Sequence, residues 1–274
     1  MTVRRPLIRY HGGKWRLAPW IIQHLPPHRC YVEPFGGGAS VLLRKPRSYA
    51  EVYNDLDGEI VNLFRVARDD GERLARACEL TPFARVEFDG AYDPADDPLE
   101  QARRTVFRSF SGFGSAAVTG QSSGFRSNSN RSGTTPAHDW MNYPDCLRQL
   151  VQRLRGVVIE NRDAIECMAR HDGPDTLHYV DPPYVHSTRS FRARAHSYRH
   201  ELDDDQHKTL ASALHQLKGP VVVSGYRCDL YDTLFDGWTR IDGLAHADGA
   251  RPRVESLWLS PNIQHNSLFQ ERAA

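Results

Sequence analysis

Seven short runs rich in β-branched and apolar residues punctuate this chain, and helical patterns separate most of them. The runs are Tyr31–Glu33, Ala50–Tyr53, Val157–Glu160, Leu177–Val180, Val221–Ser224, Trp238–Ile241 and Glu255–Leu259. Runs this short, bounded by turn-forming residues, read as strands. Helical spacing covers 14–24, 39–45, 57–68, 163–170, 204–217 and 227–235. Strands that alternate with helices predict an α/β sheet with helices on both faces.

The alternation stops between about 70 and 150. Helical patterns fill 70–79, 98–110 and 144–155, and no run there reads as a strand. Within it, residues 119–136 form a Ser/Gly/Asn-rich stretch with Arg126, Arg131 and Phe125, the last expected to be exposed. A compact domain rarely carries so long a polar loop without a function for it. We therefore read 1–69 and 151–262 as a discontinuous α/β core, 70–150 as an inserted, mainly helical domain, and 263–274 as a tail.

Composition narrows the class. Hydrophobic content of 40% and charged content of 25% are ordinary for a globular chain. No apolar run reaches the length of a membrane span, and the N-terminus lacks the apolar core of a signal peptide. The five cysteines are scattered without a Cys-x-x-Cys pair, which predicts free thiols, a cytoplasmic setting and no zinc site. His196 and His200 have helical spacing but no surrounding metal motif, so no metal is expected. Net charge is only +1, yet its distribution is uneven: 101–155 holds eight arginines against Asp139 and Asp145. The stretch 185–200 adds Arg189, Arg192, Arg194 and Arg199 with no acid. Such segregation suits a molecule with one phosphate-facing side.

Two motifs carry chemistry. Asp181-Pro182-Pro183-Tyr184 follows the run ending at Val180. The prolines fix φ and supply no N–H, so the turn presents acceptors: the Asp181 carboxylate and nearby carbonyls. With an aromatic ring beside them, they can hold a flat ring bearing an exocyclic amine. Upstream, Glu33-Pro34-Phe35-Gly36-Gly37-Gly38 runs from a strand into a helix start. A glycine turn there lets a ligand approach the backbone closely. Asp55, at the end of the next strand, stands where an acid accepts from ribose hydroxyls. Spacing alone leaves a dinucleotide and S-adenosylmethionine both open.

Tyr10-His11-Gly12-Gly13-Lys14, Val32 to Gly38, Asn54-Asp55-Leu56 and Asp181 to Tyr184 occur in that order. In this the chain resembles Dam-type, alpha-group adenine-specific DNA methyltransferases, over about residues 6 to 260 and least in the insertion. The part holding Ser224-Gly225-Tyr226 looks most like phage- or prophage-borne members. The resemblance implies a Rossmann-like methyltransferase fold, S-adenosylmethionine as cofactor and double-stranded DNA as substrate. It also implies a cognate restriction enzyme as a companion and a monomer or weak dimer. By the same resemblance, Tyr10 and Lys14 line the cofactor pocket, with Lys14 near the methionine carboxylate. Glu33, Pro34, Phe35, Gly36 and Gly38 wrap the methionine, Asp55 holds the ribose, and Asp163 meets the adenine of the cofactor. Asp181 and the Pro182 carbonyl accept from the target amine, Pro183 stiffens the turn, and Tyr184 stacks on the base. Arg126, Asn128, Asn130, Arg131, Arg189, Arg192 and Arg194 are expected on DNA, through phosphates and base edges.

Three other readings compete. A cytosine amine at N4 suits the same acceptors, although relatives acting on cytosine tend to open the tetrad with Ser. A nicotinamide-dependent oxidoreductase would need a third glycine where Val41 stands. A DNA-binding relative that has lost activity would keep the fold but not need an intact tetrad.

Overall fold

The computed structural model describes residues 3, 5–114, 123–128, 130, 133–188, 198–246 and 252–263. Seven strands form one sheet: β1 (Cys30–Glu33), β2 (Ala50–Asn54), β3 (Val157–Glu160), β4 (Thr176–Val180), β5 (Val221–Gly225), β6 (Thr239–His246) and β7 (Pro252–Leu259). All seven expected runs are strands. Their order is β3-β2-β1-β4-β5-β7-β6, with β3 to β5 parallel and β7 antiparallel to both β5 and β6. The fold is Rossmann-like α/β. Helices cover both faces of a parallel sheet, so its strands are buried on both sides and read as unbroken apolar runs. Every residue of β4 and β5 is buried.

The helices are α1 (Ala18–Gln23), α2 (Ser40–Arg44), α3 (Gly58–Asp69), α4 (Gly71–Leu80), α5 (Arg85–Gly90), α6 (Pro98–Ser111), α7 (Pro136–Met141), α8 (Tyr143–Leu154), α9 (Ala164–His171), α10 (Asp204–Leu214) and α11 (Asp229–Leu234). α1 is shorter than its apolar pattern, because residues 14–17 form a turn ahead of Pro19. α5 and α7 were not anticipated. α7 does carry a start signal, with Thr135 Oγ1 accepting from the His138 N–H and Pro136 opening the helix.

The stretch read as an insertion, 70–150, carries α4 to α7 and most of α8, with no strand among its described residues. Its apolar interior continues into that of the sheet: α6 packs along α3, and α4 against α8. Trp140 meets Phe107 edge-on at 4.9 Å, lies parallel to Tyr143 at 5.7 Å and donates to the Thr81 carbonyl at 2.8 Å. Tyr143 in turn donates to the Leu7 carbonyl at 2.8 Å, tying the N-terminal segment to the insertion. Arg108, almost fully buried on α6, donates to Glu59 on α3 and to the Ala91 carbonyl. Phe125, expected at the surface, is half-buried between Phe83 and Phe88. A polar-loop composition hid this anchor.

Because one core serves both parts, Trp140→Ala should lower stability by about 3–5 kcal/mol while unfolding in urea remains a single transition. Two separated transitions would show that the insertion folds independently.

Candidate active site

The described carboxyl ends of β1 to β4 all deliver residues to one crevice, and β1 and β4 straddle the point where strand order reverses. Ligands of open α/β sheets bind there. A cavity of about 610 Å³ opens on this edge, lined among others by Tyr10, Lys14, Glu33 to Gly38, Asp55, Asp163, Asp181 and Pro183. The residues singled out for cofactor binding therefore converge. Buried Asn54 joins three of the strand ends, donating to the Pro34 and Arg162 carbonyls and accepting from the Arg162 N–H.

The glycine turn is close-packed by the protein's own rings. A Cβ on Gly36 would lie 2.1 Å from the Tyr53 ring, and one on Gly37 2.7 Å from Tyr10. Gly37 has φ +46°, and Ala39, with φ 51°, holds the left-handed conformation that a side chain disfavours. The turn is thus strained as well as crowded. Asp55 braces it by accepting from the Gly37 N–H at 2.7 Å and the Asp57 N–H at 2.8 Å. Burial pushes the Asp55 carboxyl up to about 6 despite those two bonds. Glu33 is buried further: Tyr31 and the Leu42 N–H donate to its Oε2, yet burial lifts it to about 8. Asp163 caps α9 through Oδ1, accepting from Ile165 and Glu166.

The tetrad is held by a cluster of charge. Lys14 Nζ lies 2.7 Å from Asp181 Oδ1 and 3.0 Å from Oδ2, donates to Tyr184 Oη at 2.8 Å, and reaches the Gly12 carbonyl at 3.2 Å. Burial pulls the ammonium down, but Asp181 and Glu255 more than offset this and hold it well above the usual lysine range. Sequence reasoning set Lys14 near a ligand carboxylate; the structure sets it on the tetrad's own Asp181. Ser224 Oγ donates to Asp181 Oδ1 at 2.8 Å, so the Tyr179 hydroxyl at 3.0 Å donates to Ser224. Tyr184 lies nearly parallel to Tyr226, with centroids 4.4 Å apart.

Several contributors escaped the sequence reading. Glu255 on β7 stands 3.4 Å from Lys14, and Arg199 pairs with Asp57 at 2.9 Å beside the cavity. Ser224 and Glu255 were detectable in principle as polar residues inside apolar strands, where burial needs a partner.

Of the residues expected on DNA, Asn128 and Asn130 are exposed. Arg126 is not: it is buried and donates to the Phe110 carbonyl at 3.0 Å, closing the loop base where Gly112 bridges Phe125. Its expected place on DNA is corrected to a place inside the insertion. Arg131, Arg189, Arg192 and Arg194 lie outside the described residues. Among the described residues, no group of His, Cys, Asp and Glu could hold a metal ion, and no helix is long and apolar enough to cross a membrane.

A family model described as D12 class N6 adenine-specific DNA methyltransferase matches residues 10–245. The chain is similar to the DNA adenine methylase of Escherichia coli strain K12, 24% identical over 239 residues that cover 82% of each chain. It is similar to the Serratia marcescens DNA adenine methylase over a shorter stretch, 34% identical over 105 residues, 34% of this chain and 38% of that one. A Lactococcus lactis subsp. cremoris protein, Type II methyltransferase M1.LlaDCHI, is 26% identical over 222 residues, 72% of this chain and 71% of its own.

Replacing Lys14 by Met leaves Asp181 and Glu255 as buried carboxylates without their cation. The loss should be about 3–5 kcal/mol. Its sign with pH follows from Glu255, which burial already raises above the usual glutamate value. A raised acid gives up stability as pH rises, so urea unfolding should show Lys14→Met less impaired at pH 5 than at pH 8.

Proposed function

From the premise that the chain belongs to the D12 class N6 adenine-specific DNA methyltransferase family, we propose how its residues perform the reaction. The chemistry is transfer of a methyl group from S-adenosylmethionine to the N6 amine of adenine in DNA. The cavity fits the cofactor on its own terms. About 610 Å³ lies within the range of ligand sites. Asp55 is placed for the ribose hydroxyls and Glu33 for the cationic methionine end, and among the described residues Asp57 Oδ2 is a buried acceptor with no partner. Tyr10 walls the pocket over the glycine turn, Pro34, Phe35, Gly36 and Gly38 line the methionine end, and Asp163 borders the adenine end. When bound, the cofactor supplies an electrophilic methyl carbon.

The target amine is a poor nucleophile because its lone pair is delocalised into the ring. Asp181 Oδ2 and the Pro182 carbonyl accept its two hydrogens, which favours a pyramidal nitrogen with the lone pair free. The Asp181 charge offsets the positive charge that develops on N6. Pro183 fixes the turn, and Tyr184 supplies the stacking face. That face is now covered by Tyr226 at 4.4 Å. A base between the two rings needs about twice a stacking distance, so we assign Tyr226 to the opposite wall of the base slot, moving outward on entry. Adenine in a duplex must swing out to reach the slot, at a cost of a few kcal/mol that stacking partly returns.

The observation that carries the reading is the Lys14–Asp181–Ser224 geometry, which fixes the Asp181 carboxylate at the cavity wall. Site choice in double-stranded DNA belongs, in this proposal, to the insertion at 70–150, through Asn128 and Asn130 and the Arg131 stretch. Arg189, Arg192 and Arg194 grip the backbone. The enzyme acts as a monomer or weak dimer in the cytoplasm. Pairing with a restriction enzyme is supported by the Lactococcus relative, whose name marks it as a Type II methyltransferase.

Nucleoside mass spectrometry of unmethylated genomic DNA incubated with protein and cofactor tests this. N6-methyladenine should appear with the wild type and be lost with Asp181→Ala; N4-methylcytosine, or no change on substitution, would overturn it. Cofactor binding should also be linked to protons. Glu33, held at about 8 without a ligand, is protonated at pH 7 and ionises against a cationic partner. Affinity should therefore rise from pH 6 to pH 8, with proton release in calorimetry at pH 7 across buffers; Glu33→Gln should abolish both.

A further inference from the structure

The reaction described above gives no part to one buried ionisable group, Glu255. It sits in β7 among Val254, Leu257 and Trp258, and is 1% exposed. Burying a carboxylate in a strand costs several kcal/mol unless it is paired, and among the described residues no hydrogen bond or ion pair of this carboxylate serves the sheet. Its side-chain partners are Lys14 Nζ at 3.4 Å and the Tyr184 hydroxyl at 3.4 and 3.5 Å. Both belong to the catalytic cluster. Glu255 therefore comes from the antiparallel strand between β5 and β6 to meet a lysine from the N-terminal segment and a tyrosine that follows β4.

The Lys14 ammonium offers three hydrogens. Facing it are four acceptor groups: the Gly12 carbonyl, Asp181, the Tyr184 hydroxyl and Glu255. Acceptors are in surplus, and the longest contact is the one to Glu255. Asp181 is in the reverse position. Its Oδ1 already accepts from both Lys14 and Ser224, while Oδ2 accepts from Lys14 alone at 3.0 Å. An amine that claims Oδ2 must displace the ammonium from that oxygen. A small movement toward Glu255 keeps the cation paired.

We propose that Glu255 is a positioning residue for methyl transfer, the second anchor that takes up Lys14 when Asp181 turns to the target amine. This rests on the reading of Asp181 as the acceptor. With one cation between two carboxylates, the cluster keeps a net negative charge as positive charge grows on N6. With a neutral residue at 255, the ammonium stays on Asp181 and blunts it as an acceptor. Removing Glu255 should therefore slow the transfer step and leave cofactor binding nearly alone.

The test uses Glu255→Gln and Glu255→Asp in single-turnover methyl transfer with saturating cofactor and duplex DNA, beside the wild type and Asp181→Ala. Glu255→Gln should slow transfer by about 10- to 100-fold, with the cofactor dissociation constant within about threefold of wild type. Glu255→Asp, which keeps the charge but withdraws it by one methylene, should fall between. A second readout is the Lys14 ammonium by nitrogen NMR. Lys14 is faced by Asp181, Glu255, Tyr184 and Tyr179, and losing one anion should move its titration to lower pH. A merely structural role for Glu255 would leave the single-turnover rate at saturating cofactor and DNA unchanged. Transfer by Glu255→Gln at the wild-type rate, or an unmoved Lys14 titration, overturns the inference. If Glu255→Gln fails to fold, Glu255→Asp carries both readouts. No N6-methyladenine from the wild type would instead overturn the underlying reading of the site.

Discussion

The contact between Lys14 and Asp181 holds the rest of the site in place. It joins the first segment of the chain to the end of β4 at 2.7 Å and largely out of water. Taking both charges from solvent is costly, and the geometry has to repay it. It does so with further bonds: the ammonium meets Gly12, Tyr184 and Glu255, and the carboxylate meets Ser224. Each of those bonds also removes a degree of freedom from Asp181. The result is a carboxylate held at the crevice wall before any substrate arrives, which is what pre-organised acceptance of charge requires.

The same segment closes the pocket. Tyr10 packs on Gly37 while Tyr143 of the insertion holds Leu7 from outside. The glycine turn, the Asp181 turn and the 70–150 stretch are thus fastened through one segment near the N-terminus. The acidic groups of the pocket wall are raised by burial, Asp55 to about 6 and Glu33 to about 8. A pocket of strained acids favours a positively charged ligand over a neutral one, as a sulfonium donor needs, and disfavours its neutral product.

Much of the sheet was legible because parallel strands buried on both faces leave unbroken apolar runs, as at Val221–Gly225. β6 was read too short: past Ile241 come Asp242 and Gly243, and the strand continues to His246 only through pairing with β7. α5 and α7, at six residues each, are too short to show a helical period. Lys14, Glu33, Asp55 and Asp181, singled out because each sits in a short motif, line one cavity. Ser224, Tyr226, Arg199 and Glu255 were not assigned roles, because theirs come from neighbours far along the chain. Arg126 misled for a related reason: arginine in a polar loop suggests a surface, and only the fold shows it turned inward to the Phe110 carbonyl.

The central claim is that Lys14 acts through Asp181. A double-mutant cycle with Lys14→Met and Asp181→Asn, read as the single-turnover rate of methyl transfer at saturating cofactor and DNA, tests it most directly. If the two side chains work as one unit, the double variant will be no slower than the slower single variant. Losses that multiply would mean that Lys14 contributes independently of Asp181, and would contradict the account.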